Sequence, residues 1–326
     1  MSPAGAATAR YGLSFPLGGS PLAGQRDVVE QAEALGYTDL WSSEVDGVDA
    51  FTPLALAATW SSQLRLGTAI ASVFTRGPAL LAMSAAALAG AAPDRFVLGI
   101  GASSAPIVEL WNDGRFERPY HRVRDTISFV RTALTGERID HEYETFNVSG
   151  FRLAEPPATA PPIMVAALRS QMVHLARYHG DGVILNWVSP DDVRNILAAD
   201  GPAPSTDVVA RLFVVVGTDP HAIATHARRF LATYLNVPTY AEFHRALGRG
   251  PALAEMWARW ERGDRRGALD AIPDSVIDEL FVHGSPDQCH EQIAAYVDAG
   301  VTTPVLSVVD LDGDLRTTVN ALAPRS

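Results

Sequence analysis

The feature that most constrains this chain is an alternation. Short apolar runs follow one another almost from end to end, each separated from the next by a stretch with helical spacing. An amphipathic helix repeats its apolar face every 3.6 residues and a strand every 2, so this alternation reads as βα units around a parallel sheet. The spacing predicts strands over Tyr11–Phe15, Asp39–Trp41, Leu64–Val73, Phe96–Gly101, Ile163–Ala166, Val183–Asn186, Val208–Val216 and Pro304–Val309. Helices are expected between them: one carrying Val28, Ala32 and Leu35 and ending at Gly36, then Pro53–Trp60, Ala79–Ala92, a helix carrying Val123, Ile127, Val130 and Leu134, and Ser170–Tyr178. Ser189-Pro190, Asp219-Pro220 and Ser285-Pro286 each place a capping side chain before a first-turn proline. Ser285 with Gln288 completes a capping box, and that helix runs past Ile293, Tyr296 and Val297 to Gly300.

Eight strands with no composition break predict one α/β domain over residues 1–326, a (β/α)8 TIM barrel with insertions after strands 4 and 7. The first insertion is the polar, Pro-containing excursion Thr135–Pro161, with a small hairpin around Tyr143, Phe146 and Val148. The second is the helical stretch Pro238–Pro273, rich in Arg, Glu and Trp. A doubly wound open sheet is the structural rival, but no strand is followed by GxGxxG with an acidic partner.

Composition narrows the chemistry. All 26 basic residues are arginine, so Schiff-base lysines, lysine general bases and P-loop lysines are excluded. The net charge of −11 argues against nucleic acid and anionic membrane as partners. Cys289 is the single cysteine, so neither an intrachain disulfide nor a thiolate cluster can form. No HxH or HExxH occurs, and no metal is expected. Met1–Ala9 lacks the pattern of a signal peptide, and no apolar run is long enough to span a membrane, so a cytoplasmic protein is expected. Trp257 and Trp260 at helical spacing suggest packing against a partner surface, and a homodimer stays open.

In a parallel barrel the chemistry gathers where strands end. After the second strand, Ser43–Asp49 holds three carboxylates, of which Glu44 lies nearest the strand and is the candidate to face a pocket. The third exit, Ala71-Ser72-Val73-Phe74-Thr75-Arg76, offers hydroxyls and a guanidinium, or is simply a packed strand end. The fourth, Gly99-Ile100-Gly101-Ala102-Ser103-Ser104, lets a ligand approach the backbone, or is an ordinary turn. The fifth, Ala166-Ala167-Leu168-Arg169-Ser170, sets free amides and an arginine at a helix start, which reads equally as an anion site or as a plain cap. The arginines at 115, 118, 122 and 124 hold an anionic tail or form a solvated helix start.

Together these segments resemble the luciferase-like flavin and deazaflavin oxidoreductases, from Tyr11 to Val309. The matching stretches are Gly36-Tyr37-Thr38-Asp39-Leu40-Trp41, Asp49-Ala50-Phe51-Thr52-Pro53-Leu54, Arg65-Leu66-Gly67-Thr68, Asp94 to Gly101, Trp111 with Pro119 and Arg124, Pro162 to Leu168, and Ala176 with Gly180-Asp181-Gly182-Val183. The branch it looks most like uses coenzyme F420, a 5-deazaflavin hydride carrier. The resemblance implies an F420-dependent oxidoreductase acting on a small organic substrate. An FMN-dependent monooxygenase and a non-catalytic coenzyme-binding barrel stand as alternatives. It further implies a non-proline cis peptide at Ser72–Val73, and coenzyme contacts from Glu44, Ser72, Val73, Thr75, Gly101, Ala102, Ser103, Ala167, Leu168, Arg169 and Ser170. Glu44, which matches a carboxylate beside the ring, and Ser104 are the catalytic candidates. The chain departs from the branch's sugar-phosphate dehydrogenases: Val45 replaces a histidine, Ser104 an acidic residue, and their phosphate-binding lysines are absent. Sugar-phosphate oxidation is therefore not expected.

Overall fold

A strand covered by helices on one side and by the far wall of a barrel on the other has no polar face, and the central strands here are buried along nearly their whole length. The computed structural model describes residues 10–18, 21–199, 201, 207–309, 311 and 314–325, so the lead-in Met1–Ala9 lies outside the described residues. Its strands are β1 (Gly12–Ser14), β2 (Asp39–Ser42), β3 (Arg65–Thr68), β4 (Ala71–Ser72), β5 (Phe96–Gly101), β6 (Ile139–Glu142), β7 (Asn147–Phe151), β8 (Ile163–Ala166), β9 (Gly182–Asn186), β10 (Asp207–Val216), β11 (Phe281–Gly284) and β12 (Thr303–Val308). Parallel pairing runs β12-β1-β2-β3-β5-β8-β9-β10 and returns to β12, which closes the expected eight-stranded barrel. Strands β6 and β7 form the antiparallel hairpin expected in the first insertion. Among the described residues no helix is long and apolar enough to cross a membrane.

The third strand departs from expectation. Leu64–Val73 is not one strand, because pairing with β5 shifts from Gly67↔Val97 to Ala71↔Ile100, with one extra residue on the β3–β4 side. At the break the Thr68 hydroxyl takes the place of the backbone ladder: Gly99 N–H donates to it at 2.8 Å, and it donates to the Gly99 carbonyl at 2.7 Å. The non-proline cis peptide lies within this bulge, at Ala69–Ile70, and not at Ser72–Val73. Ser72 is held in regular register opposite Gly101, which leaves the irregularity to the residues before it.

Strand β10 is longer than its neighbours. Asp207–Arg211 pairs with β9, and Phe213–Val216 pairs with β11, a strand whose four residues are too few to show a period in the sequence. Helices Pro220–Leu235, Pro238–Ala246, Gly250–Glu261, Arg265–Asp270 and Asp274–Leu280 separate β10 from β11, so the insertion exceeds Pro238–Pro273. Their apolar faces build a second cluster around Trp187, Phe213, Val215 and Phe281. Trp257 is buried within it, donating from Nε1 to the Leu235 carbonyl at 2.9 Å, and Trp260 lies 3.9 Å beneath the Arg265 guanidinium. Both tryptophans thus find cover inside their own chain, which removes the reason for expecting an outside partner there.

The barrel interior is layered. At mid-height Trp41, Val97, Met164, Ile184, Val209 and Val305 meet. Trp41 fits because Gly67 has no side chain: a Cβ there would sit 2.3 Å from the indole. One layer below, Arg65 reaches Asp39, Asp207 at 3.0 Å and the Thr303 hydroxyl at 3.0 Å, tying four strands across the barrel floor. The Asp39 side chain is fully buried, and its other partners are the half-exposed Arg10 at 2.9 Å and the Thr38 hydroxyl. Arg65→Met would leave Asp39 to Arg10 and the Thr38 hydroxyl and remove its most deeply buried counter-charge, so a loss of about 1–3 kcal/mol in urea unfolding is expected.

A second buried polar group lies within the insertion. His244 has no exposed surface and no hydrogen bond on either ring nitrogen, and burial, reinforced by the Arg249 charge, lowers its pKa to about 3. The unfolded imidazole protonates near 6.5, so the stability that depends on neutral His244 is complete above that pH. It declines as pH falls from 6.5 toward 3, by up to about 1.4 kcal/mol per pH unit. Urea midpoints of wild type and His244→Leu between pH 4.5 and 7.5 should show a shallower acid slope in the variant.

Candidate functional site

Side chains alternate along a strand, so positions two residues above the mid-height layer also point inward. At the C-terminal mouth these are Asn186 above Ile184, Arg211 above Val209 and Ser307 above Val305. On the opposite wall stand only small residues, Gly99, Gly101 and Ala166, with Ala69 and Ile70 packed beside them. A Cβ at Gly101 would lie 3.1 Å from the Ala166 methyl and 3.2 Å from Ile70, so glycine keeps this wall flat. Above the Trp41 layer the mouth therefore has a smooth apolar floor on one side and polar groups on the other.

Two strand exits there hold left-handed backbone at non-glycine residues, Ser103 with φ 64° and Trp187 with φ 57°. Such conformations cost roughly 1–3 kcal/mol and gather at ligand sites. Trp187 is held by stacking on Phe213, ring centroids 4.0 Å apart. Asn186 Nδ2 donates to the Tyr240 hydroxyl at 3.1 Å, and Arg211 Nη2 donates to the Ser307 hydroxyl at 3.2 Å. Burial pushes the Tyr240 phenol up to about 12, so it keeps its proton at neutral pH.

The expected site residues fall into distinct groups. Glu44 lies at the mouth, but its carboxylate is saturated: Arg76 donates from Nε at 3.1 and 3.0 Å and from Nη2 at 2.9 Å, Ser72 N–H at 3.1 Å and Ala50 N–H at 3.2 Å. That arrangement clamps the loop after β2 to the turn after β4. Ser72 and Val73 are buried within that turn; the Ser72 hydroxyl accepts from Phe74 N–H at 3.2 Å, and Val73 N–H donates to the Gly101 carbonyl at 3.0 Å. Thr75, Ala102, Ser103, Ser104 and Leu168 are half-buried around the rim, whereas Gly101 and Ala167 are buried.

Arg169 and Ser170 are exposed at the start of helix Ser170–Tyr178, whose N-terminus has no side-chain cap. Arg169 forms an exposed ion pair with Glu242. Beside this terminus a cleft of about 490 Å³ is lined by Tyr120, His121, Ser170, Gln171 and His174. Free first-turn amides facing such a cleft suit an anion. Three of the four arginines in the run are already engaged: Arg118 and Arg124 pair with Glu144, while Arg122 donates to the Val73 carbonyl at 3.2 Å and the Thr145 carbonyl at 3.2 Å. The sixth strand exit at Asn186 was a place to look, but Arg211, Tyr240 and Ser307 escaped the sequence reading. Arg211 inside an otherwise apolar strand was the signal available for them.

The sequence profile of the luciferase-like monooxygenases matches residues 5–303. This chain belongs to that family. Its relatives include a Mycobacterium tuberculosis protein provisionally named a coenzyme F420-dependent oxidoreductase, 28% identical over 328 residues and covering 89% of this chain and 92% of that one. Another is the 5,10-methylenetetrahydromethanopterin reductase of Archaeoglobus fulgidus, 28% identical over 292 residues, with 85% and 87% covered. Among solved structures, the F420-dependent tetrahydromethanopterin reductase of Methanopyrus kandleri superposes with a TM-score of 0.77 over 97% of this chain and 98% of that one, at 19% identity. The clamp makes its own prediction. Glu44→Gln should cost about 1–3 kcal/mol of stability by removing a charge-assisted acceptor, and proteolysis should cut first between residues 43 and 50.

Proposed function

We propose that this protein is a coenzyme F420-dependent oxidoreductase that transfers a hydride between the deazaflavin and a small organic substrate. The observation carrying this reading is the paired arrangement at the mouth: a flat floor of Gly99, Gly101, Ala69 and Ala166 beside an uncapped helix terminus at Ser170. A planar ring fits the floor and a phosphate fits the terminus, with Ser103, Ala102 and Thr75 at the rim. F420, when bound, supplies the hydride chemistry. The protein's residues bind and orient, and the apolar floor excludes water from one face of the site.

Glu44 is a positioning residue in this reading. Its carboxylate accepts from Arg76 and two backbone amides and so fixes the turn that carries Thr75, and it moves no proton. Ser104, at the rim, is the hydroxyl placed beside the substrate. The Arg169–Glu242 pair is exposed, and such pairs contribute only about 0–1 kcal/mol, so a phosphate can displace Glu242 at little cost. The second cluster shares Trp187 and Phe213 with the mouth, which supports treating residues 1–326 as one domain.

The test is spectral titration of purified protein with F420 and with FMN in parallel. F420 should bind, and reduced F420 should be reoxidised with an acceptor. Arg169→Ala and Ser170→Ala should each weaken F420 binding by about 1–3 kcal/mol without altering the urea midpoint. Tight FMN binding without affinity for F420 would assign the site to the monooxygenase chemistry instead.

A further inference from the structure

The two arginines inside the barrel are treated differently. Arg65, on the floor, is neutralised by Asp39 and Asp207. Arg211, at the mouth, has no carboxylate within ion-pair distance among the described residues. Its hydrogen-bonding partner is the Ser307 hydroxyl, its guanidinium lies 4.8 Å over the Phe213 ring, and its buried Nε makes no hydrogen bond. A guanidinium drawn half out of water gains about 0.5–2 kcal/mol from an aromatic face, which does not replace a counter-charge. The groups around it are also incompletely satisfied. Strand register sets Arg211 beside Asn186, whose Oδ1 is buried and without a partner. Tyr240 accepts from Asn186 Nδ2, so its own O–H proton is directed elsewhere, and the Arg211 charge acts on that phenol.

We propose that the substrate of this site is a small monocarboxylate, whose carboxylate is received by Arg211 together with the Tyr240 hydroxyl. Charge balance selects the class. Among the described residues Arg211 is one uncompensated cation; a monoanion neutralises it, whereas a phosphate dianion would leave a net negative charge beside it. Arg211 supplies the donors, Ser307 holds its Nη2 in place, and Asn186 Oδ1 remains to accept an N–H or O–H from the rest of the molecule. Asn186 is the next inward position above Ile184, which pairs in register with Ala166 of the apolar floor, so the carboxylate would be anchored beside the place proposed for the deazaflavin ring. The placement next to the coenzyme rests on the proposed F420 reading; the carboxylate site itself does not.

Benzoate and its uncharged counterpart benzamide are the probes, with phenyl phosphate as the dianion, measured by calorimetry on coenzyme-free and F420-loaded protein. Wild type should bind benzoate at least about tenfold more tightly than benzamide, and more tightly than phenyl phosphate. Arg211→Met should erase the preference, Tyr240→Phe should weaken benzoate about tenfold, and Arg211→Lys should keep part of the preference as a control for folding. F420 titration of these variants should stay within about twofold of wild type. Equal binding of benzoate and benzamide, no binding of either, tighter phenyl phosphate, or a preference surviving in Arg211→Met would each overturn the proposal. A wild type with no benzoate preference whose F420 affinity collapses in Arg211→Met would give the arginine to the coenzyme, leaving the proposed function intact. A benzoate preference in a protein that does not bind F420 would do the reverse.

Discussion

The structure depends on how the inside of the closed sheet is filled. A parallel barrel gathers side chains from every strand into a space that water does not reach, so each layer must satisfy itself. The floor does so with charge: Arg65 on β3 joins Asp39 on β2, Asp207 on β10 and Thr303 on β12. The layer above does so with volume, the Trp41 indole occupying the room left by Gly67 and by Gly12, where a Cβ would stand 3.2 Å from the ring. With these two layers complete, the third is free to be incomplete. That is where Arg211, without a counter-charge among the described residues, and the unsatisfied Asn186 carbonyl lie.

The same contrast between complete and incomplete interactions organises the rim. On the β2–β4 side, Glu44 and Arg76 satisfy one another and two backbone amides, giving a rigid wall. On the β8–β10 side, the wall is built by an insertion with its own apolar core, which delivers Tyr240 to Asn186 and covers Trp187 and Phe213. Because β10 outlasts β9, its upper half exchanges partners and pairs with β11, and that exchange gives the insertion a sheet edge to pack on. The polar half of the mouth thus rests on residues far away in the sequence from the strands they complete, such as Tyr240, 54 positions beyond Asn186.

Much of the fold was legible because period is a local property. The strand limits Phe96–Gly101 and Ile163–Ala166 agree with the spacing to the residue, and the capping box at Ser285 and Gln288 is present. The site was legible only in part. Glu44 follows β2 as its position in the sequence implies, but nothing in Ser43–Asp49 reveals that Arg76, 32 positions on, would occupy its carboxylate. The cis peptide was expected three residues too late, because the bulge is set where the Thr68 hydroxyl bonds Gly99, a contact between strands.

The sequence by itself determined that the chain makes βα units, where most of them begin and end, and that lysine chemistry is absent, since propensity, capping and composition act over a few residues. Only the tertiary structure decided which charges are neutralised. Arg65 and Arg211 are both isolated arginines in apolar strands and look alike in sequence, yet among the described residues one meets two carboxylates and the other none. The difference arises when strands from distant parts of the chain close into a ring, because the electrostatic partner of a buried charge is set by distance in space.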